Sequence, residues 1–167
     1  GIATLNVDPE NKKATIKIKD GMKWSDGQPI VADDVIYPYE VIGNKDYTGV
    51  RYSDESAKIV GMEEYKAGKA STISGIKKVD DKTVEISFKE IGQGIFTGGN
   101  GLLTYAMPKH YLKDVPIKDL EKSEKVRTKL VVAGPYTISS IVPGESIELK
   151  ANPNYFRGKP KTEKVTV

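Results

Sequence analysis

Two counts bound the chemistry open to this chain: a single histidine, His110, and no cysteine. A serine hydrolase would use His110 as its base, with a serine nucleophile and an orienting carboxylate. No G-x-S-x-G elbow occurs, and the nearest serine-bearing turn, Pro143-Gly144-Glu145-Ser146, lacks the second glycine. His110 follows Pro108-Lys109 in what reads as a short surface helix, the setting of a partly exposed structural histidine. A hydrolase built on His110 is therefore the least favoured functional reading. One histidine and no cysteine leave too few nitrogen or sulfur ligands for a transition metal.

Phosphate chemistry fares no better. Gly98-Gly99-Asn100-Gly101 has the look of a glycine-rich loop, but Leu102 and Leu103 stand where a P-loop needs Lys and then Ser or Thr. Gly68-Lys69 has the lysine, but Ala70 follows it and Glu63 occupies the place of the first glycine. The carboxylate pair Asp33-Asp34 suits the positive end of a helix, and Asp80-Asp81 suits a solvated turn. Neither reads as an acid/base pair, which needs two groups converging on a cleft. Acidic residues alternating before a glycine, as in a calcium loop, are absent. No catalytic residue, metal ligand or cofactor is expected.

The remaining signal is aromatic: nine Tyr against three Phe and one Trp. Tyrosine offers a rigid apolar face with a polar tip, which suits binding of varied ligands. Most tyrosines are expected to fill the edges of a small core. The segment Asp46-Tyr47-Thr48-Gly49-Val50-Arg51-Tyr52 gathers two tyrosines and an arginine beside a glycine, and makes Tyr47, Arg51 and Tyr52 the candidate ligand-contacting residues.

These side chains need a frame, and the 167 residues suggest one domain or one domain plus a piece of another. Charged residues make up 29%, both signs interleaved, for a net charge of +3. A nucleic-acid binder concentrates its Lys and Arg on one face or tail, so nucleic acid is not expected as a partner. No apolar run approaches the roughly 20 residues a membrane span needs. "ATLNVDPENKKATIKIKDG" reads as two strands around a turn, Ile16 and Ile18 facing one way and Lys17 and Lys19 the other. A helix is expected over Ser56–Lys66, with Gly68 as its stop. "ISGIKKVDDKTVEISFKE" reads as a hairpin turning at Asp80-Asp81-Lys82. Pro108–Leu112 and "PIKDLEKSEKVRTK" read as helices; "YTISSIV", "SIELKAN" and "KVTV" read as strands, the first two joined by Pro143-Gly144. The fold class is α+β, mostly antiparallel sheet with several short helices.

The densest motif is Gly21–Ile42, "GMKWSDGQPIVADDVIYPYEVI". Ser25-Asp26-Gly27 makes a tight turn in which Gly supplies a positive φ. Trp24 lies over the core beside it, and the following helix turns Val35, Ile36, Tyr39 and Ile42 inward. This reads as scaffolding. The run Lys23-Trp24-Ser25-Asp26-Gly27-Gln28-Pro29, then Ala32-Asp33-Asp34-Val35, resembles the signature of the solute-binding proteins of oligopeptide and dipeptide ABC importers, extracellular family 5. "GIKKVDDKTVEISFKE", "AMPKHYL" and "VAGPYTISSIVPGESIELKANPNYFRGKP" are similar to later family segments, in the same order. The resemblance covers nearly the whole chain and is nearest to Gram-positive members.

The resemblance implies a periplasmic-binding-protein-like (type II) fold, of which residues 1–130 form an additional inserted lobe and 131–167 the strands returning to the first main lobe. It implies that the chain is a piece of a longer protein, whose opposing lobe lies outside it. The whole protein would capture oligopeptides at the outer face of the membrane, lipid-anchored, or in the periplasm of a Gram-negative cell. It would deliver them to ABC permease subunits. A peptide-pheromone receptor or a surface adhesin on the same scaffold is the alternative. One loop tyrosine of the additional lobe can border the cleft, and Tyr52 or Tyr47, with Arg51 nearby, corresponds; Trp24, Ser25, Asp26, Gly27 and Asp34 would be structural.

Three residues depart from the family pattern. Val31 replaces a capping Thr, so the helix start is expected to shift, with Asp33 or Asp34 taking part of the cap, or one backbone donor left to water. Pro38, well inside the helix, crowds the Asp34 carbonyl and lacks an N–H, so a kink or a separate first turn is expected. Phe156 replaces a Trp.

Overall fold

A computed structural model describes residues 2–92, 102–103, 105–134, 136–142, 146–155 and 164–166, with backbone alone for 136–142, 146–151 and 164–166. The glycine run 98–101, the 143–144 turn and Phe156 lie outside the described residues. The chain forms two compact units: one holds Ala3–Lys19 and Val31–Met107, the other Asp20–Ile30 and the chain from Pro108 onward.

In the first unit, strands β1 (Ala3–Asp8), β2 (Lys13–Ile18), β3 (Ile76–Asp80) and β4 (Thr83–Ser87) build one antiparallel sheet in the order β1-β2-β4-β3. The alternation read from the sequence sets its inner face. Ile16 lies opposite Val84 and Ala14 opposite Ile86, and all four are buried. Burying the three larger side chains, Ile16, Val84 and Ile86, contributes about 1.5–3 kcal/mol apiece. Helix α1 (Ala32–Gly43) packs on β3 and β4. Tyr39 and Ile42 are buried as expected, but Ile36 is only half-buried, while Tyr37, Pro38 and Val41 join the core. The helix is covered on more sides than an amphipathic stripe requires.

The start of α1 does not shift. Val31 is the N-cap, and the Asp34 carboxylate accepts from its N–H at 3.0 Å, half of a capping box that Val31 itself cannot complete. The Ala32 N–H, another orphan of the first turn, donates to the carbonyl of Asp81 in the hairpin tip at 2.7 Å. Nor does Pro38 split the helix, which is a single element with the proline inside. The carbonyl that Pro38 deprives of a donor is that of Asp34, and the Met107 N–H supplies the missing bond at 2.9 Å.

The helix expected over Ser56–Lys66 is two short ones, α2 (Asp54–Ala57) and α3 (Met62–Lys66). Between them Ile59 bridges Phe88, and Val60 both donates to Ser87 and accepts from Gly75. The backbone there joins the end of the sheet, and Gly61, at φ +82°, turns it out again. Ile59 and Met62 are buried; Val60 is exposed.

The second unit holds α4 (Lys109–Leu112), a 3₁₀ turn (Ile117–Lys122), α5 (Glu124–Arg127), and a sheet of β5 (Tyr136–Val142), β6 (Ser146–Ala151) and β7 (Lys164–Thr166) in that order, all antiparallel. The expected single helix over 116–129 breaks at Ser123, whose side chain caps α5 through the Lys125 N–H. The class is α+β. No helix among the described residues is long and apolar enough to cross a membrane.

Candidate functional site

The tyrosine segment lies in the first unit, where the chain leaves the C-terminus of α1. Asn44 ends that helix, and its side chain accepts from the Asp46 N–H at 2.9 Å, a local turn that starts the loop. The Tyr47 oxygen accepts from the Arg51 N–H at 3.3 Å, so the loop closes on itself across Thr48–Val50. The Arg51 guanidinium lies 5.0 Å from the Tyr105 ring centroid. Lys66, the last residue of α3, lies 5.1 Å from the Tyr47 ring and 4.8 Å from that of Tyr52. Of the three residues singled out from sequence, Tyr47 and Arg51 meet directly, Tyr52 is joined to Tyr47 through Lys66, and Arg51 also meets Tyr105.

Burial raises the pKa of Tyr52, with a further push from the Glu63 carboxylate, and burial likewise raises that of Tyr105. Both phenols are therefore neutral at physiological pH and can donate as well as accept. Tyr47 and Tyr52 are half-buried, Arg51 is exposed, and Val50 at the tip is 95% exposed. The arrangement offers neutral aromatic faces, a cation and hydroxyls, which is contact chemistry. No nucleophile sits beside a base in it. Among the described residues no group of three or more His, Asp or Glu could hold a metal ion.

The tryptophan motif lies in the second unit and is tied down at nearly every residue. Trp24 is 3% exposed, and its N–H donates to the Gln28 carbonyl at 2.8 Å. Gly27 takes φ +87° and donates to the Trp24 carbonyl, closing the turn. Ser25 exchanges two bonds with Val132: its N–H donates to the Val132 carbonyl at 2.7 Å, and its Oγ accepts from the Val132 N–H at 2.9 Å. The Asn154 amide donates to the Ser25 carbonyl at 3.3 Å, and buried Asn152 donates to the Gly134 carbonyl at 2.8 Å. Asp26 holds the Gln28 N–H with one oxygen and His110 Nε2, at 2.6 Å, with the other. His110 therefore faces a carboxylate, and the nearby serine oxygen is engaged with backbone. Asp34, in the first unit, is 1% exposed at the head of α1.

Sequence reasoning missed Lys66, Tyr105 and the Asp26–His110 pair. Lys66 carried no motif, only a place at a helix end. The W-S-D-G and P-K-H segments, separated by 84 positions at Asp26 and His110, could be joined only by the fold.

A family model described as bacterial extracellular solute-binding proteins, family 5 Middle, matches residues 1–167. The chain is 44% identical over 170 residues to the oligopeptide-binding protein OppA of Lactococcus lactis subsp. cremoris (strain SK11), covering 99% of this chain and 28% of that protein. It is 36% identical over 153 residues to the oligopeptide-binding protein AppA of Bacillus subtilis (strain 168), covering 90% and 25%. Among solved structures it is similar to lactococcal OppA complexed with an endogenous peptide in the closed conformation, with TM-score 0.90 and 42% identity over 99% of this chain and 32% of that one. It is also similar to AppA from Bacillus subtilis in complex with a nonapeptide, with TM-score 0.79 and 29% identity over 99% and 30%. The chain forms part of a periplasmic-binding-protein-like, type II fold, and spans under a third of the length of these relatives.

Proposed function

The chain belongs to the bacterial extracellular solute-binding proteins of family 5, and from that premise we propose that it is part of a receptor that captures oligopeptides outside the cytoplasm and hands them to the permease subunits of an ABC importer. The observation that carries this reading is the 44% identity, over 99% of the chain, to an oligopeptide-binding protein. The family is extracellular, and a lipid anchor on the whole protein, or a periplasmic location in a Gram-negative cell, belongs to the proposal. Residues 1–130 are taken as the additional inserted lobe and 131–167 as strands returning to the first main lobe.

On this reading peptides are held through their main chain, much as an added strand is held, with side chains in hydrated pockets that tolerate variety. Tyr52 is the residue proposed to border the cleft, with Tyr47 and Arg51 behind it. Trp24, Ser25, Asp26, Gly27 and Asp34 act as scaffold, since their polar groups are engaged within the fold. The 167 residues alone are proposed to bind peptide weakly, because a two-sided receptor desolvates its ligand between lobes. The test is equilibrium binding of the full-length protein to mixed oligopeptides, free amino acids and monosaccharides. Binding of oligopeptides in preference to the other two classes is expected, and binding of a non-peptide solute alone would overturn the proposal.

A further inference from the structure

Helix α1 ends without a basic residue in its own last turn. Its negative end is nonetheless met by a cation, delivered by α3. The Lys66 ammonium donates to the carbonyls of Ile42, Asn44 and Tyr47, each at 2.9 Å. The same ammonium lies over the Tyr47 and Tyr52 rings, at 5.1 and 4.8 Å from their centroids. An ammonium has three donors, and here each has an acceptor. Two of those acceptors, Ile42 and Asn44, are carbonyls at the helix end, where a positive charge is favoured. The aromatic faces add cation–π attraction. A planar guanidinium, with its donors in a fixed fork, does not match this shape.

We propose that Lys66 is a positioning residue, an ammonium tethered in a cage of three carbonyls and two tyrosine faces that fixes the 44–52 loop and so sets where Tyr52 stands. Its consequence for peptide capture rests on the reading of Tyr52 as a cleft residue; the cage itself does not. Asn44 and Tyr47 lie at the loop's origin and middle and Tyr52 at its far end, so one charge ties three points along it. Burial pulls the Lys66 pKa below the ordinary lysine value, while the full set of acceptors holds the proton on. Methionine at 66 would keep the stem and take the ammonium from all three carbonyls, of which that of Asn44 still accepts from the Tyr47 N–H.

The first test is direct observation of lysine Nζ protons in the ¹⁵N-labelled chain at neutral pH. Exposed ammonium protons exchange with water too fast to be seen, whereas a caged group gives a persistent signal. One such signal, lost in Lys66→Arg, is expected; its absence in the unsubstituted chain would overturn the proposal without requiring any variant to fold. The second is chemical rescue of Lys66→Ala, which lacks the equivalent of n-propylammonium. That cation, and not tetramethylammonium, should return the Tyr47 and Tyr52 ring resonances to their original positions. Equal action of the two cations, or none by either, would contradict an ammonium cage. In the full-length protein, Lys66→Met and Tyr52→Ala should each weaken peptide binding several-fold, and together no more than either alone. If Tyr52→Ala leaves peptide affinity unchanged while the caged signal is present, the cleft reading fails and the cage stands.

Discussion

Replacing Tyr39 by phenylalanine removes one oxygen from the middle of α1 and isolates one hydrogen bond. Tyr39 is 0% exposed, and its hydroxyl accepts from the Leu103 N–H at 2.9 Å, with Leu103 itself buried. The ring is kept, so the apolar burial of the side chain hardly changes. One term remains: with only one partner removed, the buried backbone N–H of Leu103 is left without an acceptor, which costs about 1–3 kcal/mol rather than the roughly 1 kcal/mol net worth of an ordinary hydrogen bond. The expected loss is about 1–3 kcal/mol, or roughly 2–4 °C in Tm for each kcal/mol in a chain of this size. Urea unfolding followed by far-UV dichroism should show a lower midpoint with the slope unchanged.

The same substitution has a signature at alkaline pH. Burial raises the pKa of the Tyr39 phenol, so above about pH 10 an unfolded tyrosine releases a proton that the folded one keeps. The native state then binds more protons, and stability falls as pH rises through that range. Tyr39→Phe should lose stability less steeply there. It will not be flat, because Tyr37, Tyr52, Tyr65 and Tyr105 are also raised by burial. A midpoint within error of the unsubstituted chain, or an alkaline slope equal to it, would refute the role given to this hydroxyl.

Three further outcomes follow from contacts at other places in the fold. Gly75→Ala would drive a Cβ into the Val60 carbonyl oxygen, which belongs to the backbone and cannot swing aside; a loss of about 1–3 kcal/mol is expected, and a neutral result in chemical unfolding would argue against the close approach of residues 60 and 75. Asp34→Ala should cost about 1–2 kcal/mol by leaving the Val31 N–H without its acceptor, whereas Asp34→Asn, which keeps a carbonyl oxygen there, should recover most of it. His110→Ala breaks a partly exposed pair with Asp26 and should cost no more than about 1 kcal/mol; any change in a hydrolytic rate on exposure to peptides or esters would revive the enzyme reading.

What could be read from the sequence was set by local pattern. The β2 strand carries the expected alternation, and Ile16, on its inner face, lies against Val84 of β4. The Ser25-Asp26-Gly27 turn was likewise written in its residue types, since Gly27 adopts the positive φ anticipated. What could not be read depends on partners distant in sequence. Pro38 argued for a kink or a separate first turn in α1, because it lacks an N–H and crowds the Asp34 carbonyl; the helix is one element, and Met107, far along the chain, supplies the donor that carbonyl lacks. Ser56–Lys66 has helical spacing, but pairing of Ile59 with Phe88 takes the middle of that run into the sheet. Around the tyrosines, Tyr47, Arg51 and Tyr52 were visible as a cluster. Lys66, which touches two of them, was not, because a lysine at a helix end looks like any solvated charge until the carbonyls around it are placed.

The central claim is that this chain is one wall of a peptide receptor and needs the rest of the protein to grip. Isothermal titration calorimetry of the 167-residue chain and of the full-length protein, each against the same mixture of oligopeptides, tests it most directly. The full-length protein should give saturable heat, and the 167-residue chain none. Saturable micromolar binding by the shorter chain, or none by the full-length protein, would contradict the account.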